Sequence, residues 1–208
     1  MSDVSRNEAE LEGTAVTAPA FSHENHGIRF YRFLLETPRL SGHPDVLPVL
    51  VPEPLAEQVT EGNPLRLQGQ LRSFNNRSGE GRRLVLSVHV RTLLPPRGEP
   101  CNRILLTGRI CKPPAFRRTP LGRCICDLML AVPRRCGRTD YLPVIAWGRI
   151  AADAALLPVG TELRLEGRIQ SRLYTKMADG IPHRRTAYEV SVMHLQDEEH
   201  AAPALLQP

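Results

Sequence analysis

Polar and apolar residues alternate along much of this chain. Cys124, Cys126, Leu128, Leu130 and Val132 fall on every second position of Gly122–Val132. Asp140–Trp147 alternates in the same way, with Leu142, Val144 and Ala146 on one face and Tyr141, Pro143, Ile145 and Trp147 on the other. A two-residue period predicts strands with one buried face. Arg103–Cys111 reads as a further strand. Arg149–Leu157 reads as a short helix stopped at Pro158-Val159-Gly160. Thr161–Tyr174 and Arg185–Leu195 then read as two last strands separated by a polar loop.

The pattern occurs twice. Shifted by 95 residues, Leu11–Val49 lies on Leu106–Val144 without a gap, and roughly a third of the positions are identical. Pro19–Phe21 meets Pro114–Phe116, Pro38-Arg39 meets Pro133-Arg134, Asp45 meets Asp140, and Leu47–Val49 meets Leu142–Val144. At a shift of 98, LRLQGQL (Leu65–Leu71) lies on LRLEGRI (Leu163–Ile169). Three strands, a helix and two strands is the element order of an OB barrel. The expected fold class is therefore all-β: two tandem five-stranded OB-fold barrels, each with a short helix between strands three and four. In the first copy that helix shrinks to Pro54–Val59. PPRGEP (Pro95–Pro100) reads as a stiff linker. The expected divisions are 1–95, a Pro-rich linker at 96–100, 101–196, and a short acidic, flexible tail at 197–208.

Charge separates the copies. Residues 100–196 carry 16 Lys+Arg against 7 Asp+Glu, residues 1–99 carry 11 against 12, and the tail from Asp197 adds three acids. A basic half beside a near-neutral one points to a polyanion partner for the basic half. Five cysteines, odd in number and without a CxxC pair, give neither a disulfide framework nor a metal site. No Walker loop, GxSxG or HExxH occurs, so neither enzyme chemistry nor a cofactor is expected. No apolar run is long enough for a membrane helix, and the polar N-terminus does not read as a secretory signal. A cytoplasmic, nucleoid-associated protein is expected.

Arg164, Arg168, Arg172 and Tyr174 share the polar face of the fourth strand of the second copy, opposite Leu163, Leu165 and Ile169. With Tyr141 and Trp147 on strand three, two strands present aromatics, one of them amid guanidinium groups. Binding an unpaired strand needs both, flat rings for bases and cations for phosphates. The same rings could equally plug the barrel or a subunit interface.

Over nearly all of residues 102–195 the second copy resembles the bacterial single-stranded DNA-binding protein family. The stretches that carry the likeness are NRILLTGRI (Asn102–Ile110), RRTPLG (Arg117–Gly122), LAVPRR (Leu130–Arg135), YLPVIAWGRIA (Tyr141–Ala151) and GTELRLEGRIQSRLYT (Gly160–Thr175). The resemblance implies an OB barrel, tetramers of four barrels, and base stacking on Tyr141, Trp147 and Tyr174. It implies non-catalytic, largely sequence-independent binding of single-stranded DNA in replication, recombination or repair. Arg164, Arg168, Arg172, Lys176, Arg117, Arg118, Arg134, Arg135 and Arg149 are the candidate phosphate contacts. A fourth family aromatic would fall near Cys136, where this chain has none, and the loop before strand three is shortened.

In the first copy Val46, Pro52 and Asn76 stand at the places of Tyr141, Trp147 and Tyr174. Phe74 is its one expected platform, and Tyr31, Phe33 and Leu35 are expected core. A degenerate barrel beside an active one lets each chain supply two of four barrels, so a homodimer is the simplest expected assembly. The acidic, phenylalanine-terminated tip with which family members dock replication and repair enzymes has no counterpart in DEEHAAPALLQP (Asp197–Pro208). Two other readings use the same surface: a primosomal-type OB module contacting protein, and an RNA-binding OB module.

Overall fold

The computed structural model describes residues 6–39, 42–76, 84–178 and 181–196, and the expected tail lies outside them. The first half contains β1 (Asn7–Ala15), β2 (Ala20–Asn25), β3 (Ile28–Thr37), β4 (Asp45–Pro52), α1 (Glu53–Ala56), β5 (Pro64–Asn75) and β6 (Leu84–Leu94). The second contains β7 (Cys101–Ile110), β8 (Ala115–Arg118), β9 (Cys124–Pro133), β10 (Thr139–Trp147), α2 (Gly148–Ala155), β11 (Glu162–Ala178) and β12 (Ile181–Gln196).

Strand pairing runs in a circuit in each half. β1 pairs with β5, β5 with β6, β6 with β4, β4 with β3, and β3 returns to β1. The second circuit is β7–β11–β12–β10–β9–β7. Alternation sends every second side chain inward, and Leu11, Leu35, Leu47, Leu67 and Leu71 of the first circuit are fully buried. So are Ile104, Leu106, Ile110, Leu130, Leu142 and Ile169 of the second. Each circuit also has a bulge where its two longest strands cross, after Gln68 and after Glu166. A Cβ on Gly69 would lie 2.2 Å from the His89 carbonyl oxygen, and one on Gly167 would lie 2.4 Å from that of Ser191. Only glycine admits the partner strand at these two equivalent positions.

Two features go beyond the strands read from the sequence. β2 and β8 extend the circuits as outer strands on β3 and β9. The β2–β3 hairpin turns on His26 and Gly27, both at positive φ, the geometry of a two-residue turn that matches strand twist. In addition, β11 and β12 pair all the way to Ala178↔Ile181, so most of the expected polar loop is strand.

The halves meet across β1 and β7, which pair antiparallel from Asn7↔Leu106 to Glu12↔Cys101. Ala9 and Ile104, which face each other, are also 95 residues apart, so the repeat shift carries this pair onto itself. The pair marks a local two-fold axis, and the surrounding bonds obey it. The Asn7 amide accepts from the Leu71 N–H at 2.9 Å and donates to the Leu71 carbonyl at 2.7 Å. Asn102 does the same to Ile169, at 2.9 and 2.7 Å. The Pro95–Pro100 linker is tied down, since the buried Glu12 carboxylate accepts from Arg97 N–H at 2.6 Å and Gly98 N–H at 2.7 Å.

Two carboxylates lock the halves reciprocally. Asp45, fully buried in the first half, binds Arg39 and accepts from Ser171 N–H of the second half at 2.6 Å. Asp140, fully buried in the second, binds Arg134 and accepts from Ser73 N–H of the first at 2.7 Å. Arg168 and Arg72 add cross-half contacts to Asp45 (3.4 Å) and Asp140 (2.8 Å). Burial pushes the Asp140 carboxyl up, but the bonds from Arg134, Ser73 N–H and Arg72 outweigh it and hold the group below the ordinary carboxylate range.

Candidate nucleic-acid interface

Tyr141 and Trp147 both leave β10 on its outer face, 48% and 37% exposed. Ile145, on the same face by alternation, is only 3% exposed. The two rings are six residues apart, about 20 Å along a strand, and the ground between them is covered. They are two separate exposed rings, not one continuous aromatic surface. Each is fixed by backbone on one side: the Tyr141 N–H donates to Ser73 Oγ at 2.8 Å, and Trp147 is the N-cap of α2, where Gly148 takes φ +58°.

Tyr174 lies on β11 opposite Arg185 of β12, two residues beyond Arg172. The Arg172 guanidinium stands 3.9 Å from the Glu189 carboxylate. With Pro143 and Tyr188 it lines a cavity of about 320 Å³, whose other wall is Leu84 and Leu86 of the first half. On the opposite face of β11 from Arg172 and Tyr174, Leu173 and Met177 are exposed.

The candidate cations divide. Arg134 and Arg168 are bound to the buried Asp140 and Asp45 and hold the halves together. Arg117 on β8 is paired with Asp127 at 2.8 Å, and Arg118 beside it is exposed. Arg149 on α2 is 95% exposed, with Asp153 at 3.9 Å. Arg135 is exposed on the β9–β10 turn. Arg164, at the far end of β11, lines a different cavity from Arg172. Lys176 pairs with His183 through the backbone, and its side chain lies outside the described residues. Arg118 and Arg149 therefore lie on elements of the second half beside the β10 rings, Arg172 lines a cavity that the first half completes, and Arg134, Arg164 and Arg168 face the first half.

The first half has a cavity of about 670 Å³ of its own. Phe74, expected as a platform, is 53% exposed on its wall. His23 lines it too and stacks on Phe30 with ring centroids 5.2 Å apart. Arg32 and Arg72 contribute charge, and Arg134 and Arg138 reach it from the second half. His89 in its floor is held near pKa 4, chiefly by burial, with Arg72 and Arg134 adding to the effect, so it is neutral at pH 7. Phe33 and Leu35 are core as expected, but Tyr31 is only half-buried. Its hydroxyl donates to Glu53 at 3.0 Å, and Arg29 lies over both its ring and that of Phe21.

His23, Phe30, Arg32, His89 and Arg138 join this surface only through cross-strand contacts without sequence periodicity. Phe116 is different. It is 46% exposed on β8, at the repeat position of Phe21, so the shared PAF triplet is a signal that could have singled it out. Among the described residues no group of three or more His, Cys, Asp or Glu could hold a metal ion. No helix there is long and apolar enough to cross a membrane.

Residues 101–197 match the profile of the single-strand binding protein family. A single-stranded DNA-binding protein of Clostridium tetani is 36% identical over 80 residues, covering 35% of this chain and 55% of that protein. Single-stranded DNA-binding protein 2 of Listeria innocua is 34% identical over 113 residues, covering 50% of this chain and 69% of that protein. The chain thus spans about half to two thirds of the length of the curated relatives it matches. A crystal structure of a deletion mutant of the Thermus aquaticus single-stranded DNA binding protein superposes with a TM-score of 0.75 at 23% identity. That likeness covers 97% of this chain and 98% of the other, and it extends to the overall fold.

Proposed function

The chain belongs to the single-strand binding protein family, and from that premise we propose that it binds single-stranded DNA without chemistry of its own, mainly through its second half. We read each circuit of strands as a five-stranded OB barrel, the first one having kept its core and lost most of its base-stacking positions. The observation that carries the reading is the pair of rings, Tyr141 and Trp147, standing exposed on one strand of the basic half. Unpaired bases stack on them and on Tyr174, each contact being worth about 1–3 kcal/mol with little regard to sequence. Arg118, Arg149 and Arg172 neutralise the phosphates between them. The separation of Tyr141 from Trp147 gives the strand two anchor points several nucleotides apart.

Trp147 is the only tryptophan, so its fluorescence reports this surface alone. Saturating oligo-dT quenches it if the indole stacks on a base. A blue-shifted emission indifferent to oligo-dT would place Trp147 at a protein contact and overturn the assignment. Competition between oligo-dT and oligo-rU of equal length separates a DNA-binding from an RNA-binding module. Two barrels per chain in a family of four-barrel particles make a homodimer the natural assembly. Light scattering should then give about twice the chain mass of 23.2 kDa, whereas a stable monomer at micromolar concentration would exclude it.

A further inference from the structure

A cavity of about 540 Å³ opens between the halves, away from Trp147 and β8. It is walled by β1, β5 and β6 on one side and by β7, the β9–β10 turn and β11 on the other. Six arginines line it (Arg6, Arg72, Arg91, Arg134, Arg135 and Arg164) against one acid among the described residues, Glu8, which pairs with Arg6 at 2.8 Å. Behind the wall, Asp140 holds Arg72 and Arg134. Arg91 and Arg135 are exposed and have no acidic partner among the described residues.

The local two-fold supplies an internal control. Arg164 has Arg66 as its counterpart, and each faces the equivalent neighbour across its strand pair: Arg66 faces Glu12, and Arg164 faces Thr107. Arg66 is bonded to Glu10 at 3.0 Å through Nε and stands 3.8 Å from Glu12. At the positions of those two acids the second copy has Leu105 and Thr107. Arg91 and Met193 are both the extra residue of the β6 and β12 bulges, and Arg6, Arg72 and Arg135 are matched by Cys101, Gln170 and Leu40. One side of the axis has thus lost two carboxylates and gained four cations relative to the other, against one reverse exchange, Glu8 where the other side has Arg103. Packing does not require that asymmetry, since the opposite side folds the same way without the added cations at Arg91 and Arg135.

We propose that this arginine cavity is a phosphate site, which holds the sugar–phosphate backbone of a single strand as it crosses from the second half to the first. The inference rests on the single-strand-binding reading above and adds a route to it. Guanidinium groups converging from both halves suit a polyanion whose charges recur along its length. Exposed Cys136 sits in the cavity wall, whereas the other four cysteines are buried or part-buried, so its thiol is a ready reporter.

The test uses the full chain and two oligo-dT lengths, about 8 nucleotides to occupy one barrel and about 30 to span both. Arg91→Ala and Arg135→Ala each remove one positive charge from the cavity. Met193→Glu changes the net charge equally at the matching position on the other side. For the long oligonucleotide, each alanine variant should lower the log–log salt slope by roughly 0.7, and Met193→Glu should leave it unchanged. For the short one Arg91→Ala and Met193→Glu should match the wild type. The long oligonucleotide should also protect Cys136 from alkylation, and the short one should not. Equal slope changes in Met193→Glu and the alanine variants would reduce the effect to overall charge and overturn the site. So would protection of Cys136 by tripolyphosphate but not by the long oligonucleotide, which assigns the cavity to a free anion. Wild-type protein that binds neither oligonucleotide would instead sink the functional reading on which the site depends.

Discussion

Asp45 and Asp140 occupy equivalent positions and do equivalent work, while the residues that follow them, Val46 and Tyr141, share only their backbone role. Val46 N–H donates to Ser171 Oγ at 3.2 Å, and Tyr141 N–H donates to Ser73 Oγ at 2.8 Å. The side chains then part ways, one aliphatic and the other a half-exposed phenol. The same holds along each strand pair: Leu47 and Leu142 are both fully buried, but Pro52 stands where Trp147 does. Inward positions and cross-half bonds are constrained by both copies at once, because each half completes the other's network. Outward positions answer only to solvent and ligand. The two copies therefore preserve their scaffold together and diverge on their surfaces.

The largest expected effect tests the shared part. Asp140→Ala leaves Arg72, Arg134 and Ser73 N–H without their buried acceptor, a loss of about 3–5 kcal/mol. Asp45→Ala strips Arg39, Arg168 and Ser171 in the same way and should cost about the same. Thermal or urea unfolding of the two variants measures both. A gap of more than about 2 kcal/mol between them would mean that the local two-fold is geometric but not energetic.

A second effect separates the halves by pH. His89 stands beside the β6 bulge, and the matching residue on β12 is Ser191, which does not titrate. Folding lowers the His89 pKa from the ordinary 6.5 to about 4. As pH falls from 6.5 towards 4 the unfolded chain takes up a proton that the folded one refuses, so stability drops across that window and levels off below it. The loss is about 3 kcal/mol at most. Urea unfolding at pH 7.5 and 4.5 should show this extra drop in the wild type but not in His89→Gln. An equal drop in both would show that His89 is not the group responsible.

The internal repeat and the two-residue alternation made most of the scaffold legible in the sequence, because both record burial, and burial is periodic. Phe33, Leu35, Leu142 and Ile169 are core as their alternation demanded. The exposed rings of Tyr141, Trp147 and Phe74 were legible for the same reason. Ile145 shows where the argument stops: alternation gives the face of the strand on which a side chain lies, not whether another element covers that face. Arg134 and Arg168 show the same limit for charge. Composition counted them as surface cations, but their partners, Asp140 and Asp45, are buried, and Asp45 lies 123 residues from Arg168. The linker, too, was readable as proline-rich but not as tethered, since Glu12 reaches it from the first strand.

The smallest expected effect asks how far the first half has fallen behind. Trp147→Ala should weaken oligo-dT binding by about 1–3 kcal/mol, the usual cost of losing a stacking platform. Phe74 is more exposed than Trp147, at 53% against 37%, and it lines a cavity of about 670 Å³, so exposure alone would rank it higher. Its surroundings argue otherwise. At the family's three ring positions the first half presents Val46, Pro52 and Asn76, so a base on Phe74 has no second family platform beside it. Of the four arginines that line its cavity, Arg72 and Arg134 are already engaged with Asp140. Phe74→Ala should accordingly cost well under about 1 kcal/mol with a short oligonucleotide, below the range for an established platform. With one long enough to span both halves it should cost measurably more, because only then is the strand delivered to that cavity at high effective concentration. Equilibrium titration of both variants with both lengths decides it. If Phe74→Ala matched Trp147→Ala on the short oligonucleotide, the first half would be an independent binding barrel, and its lost aromatics would have been replaced by His23, Phe30 and Phe74.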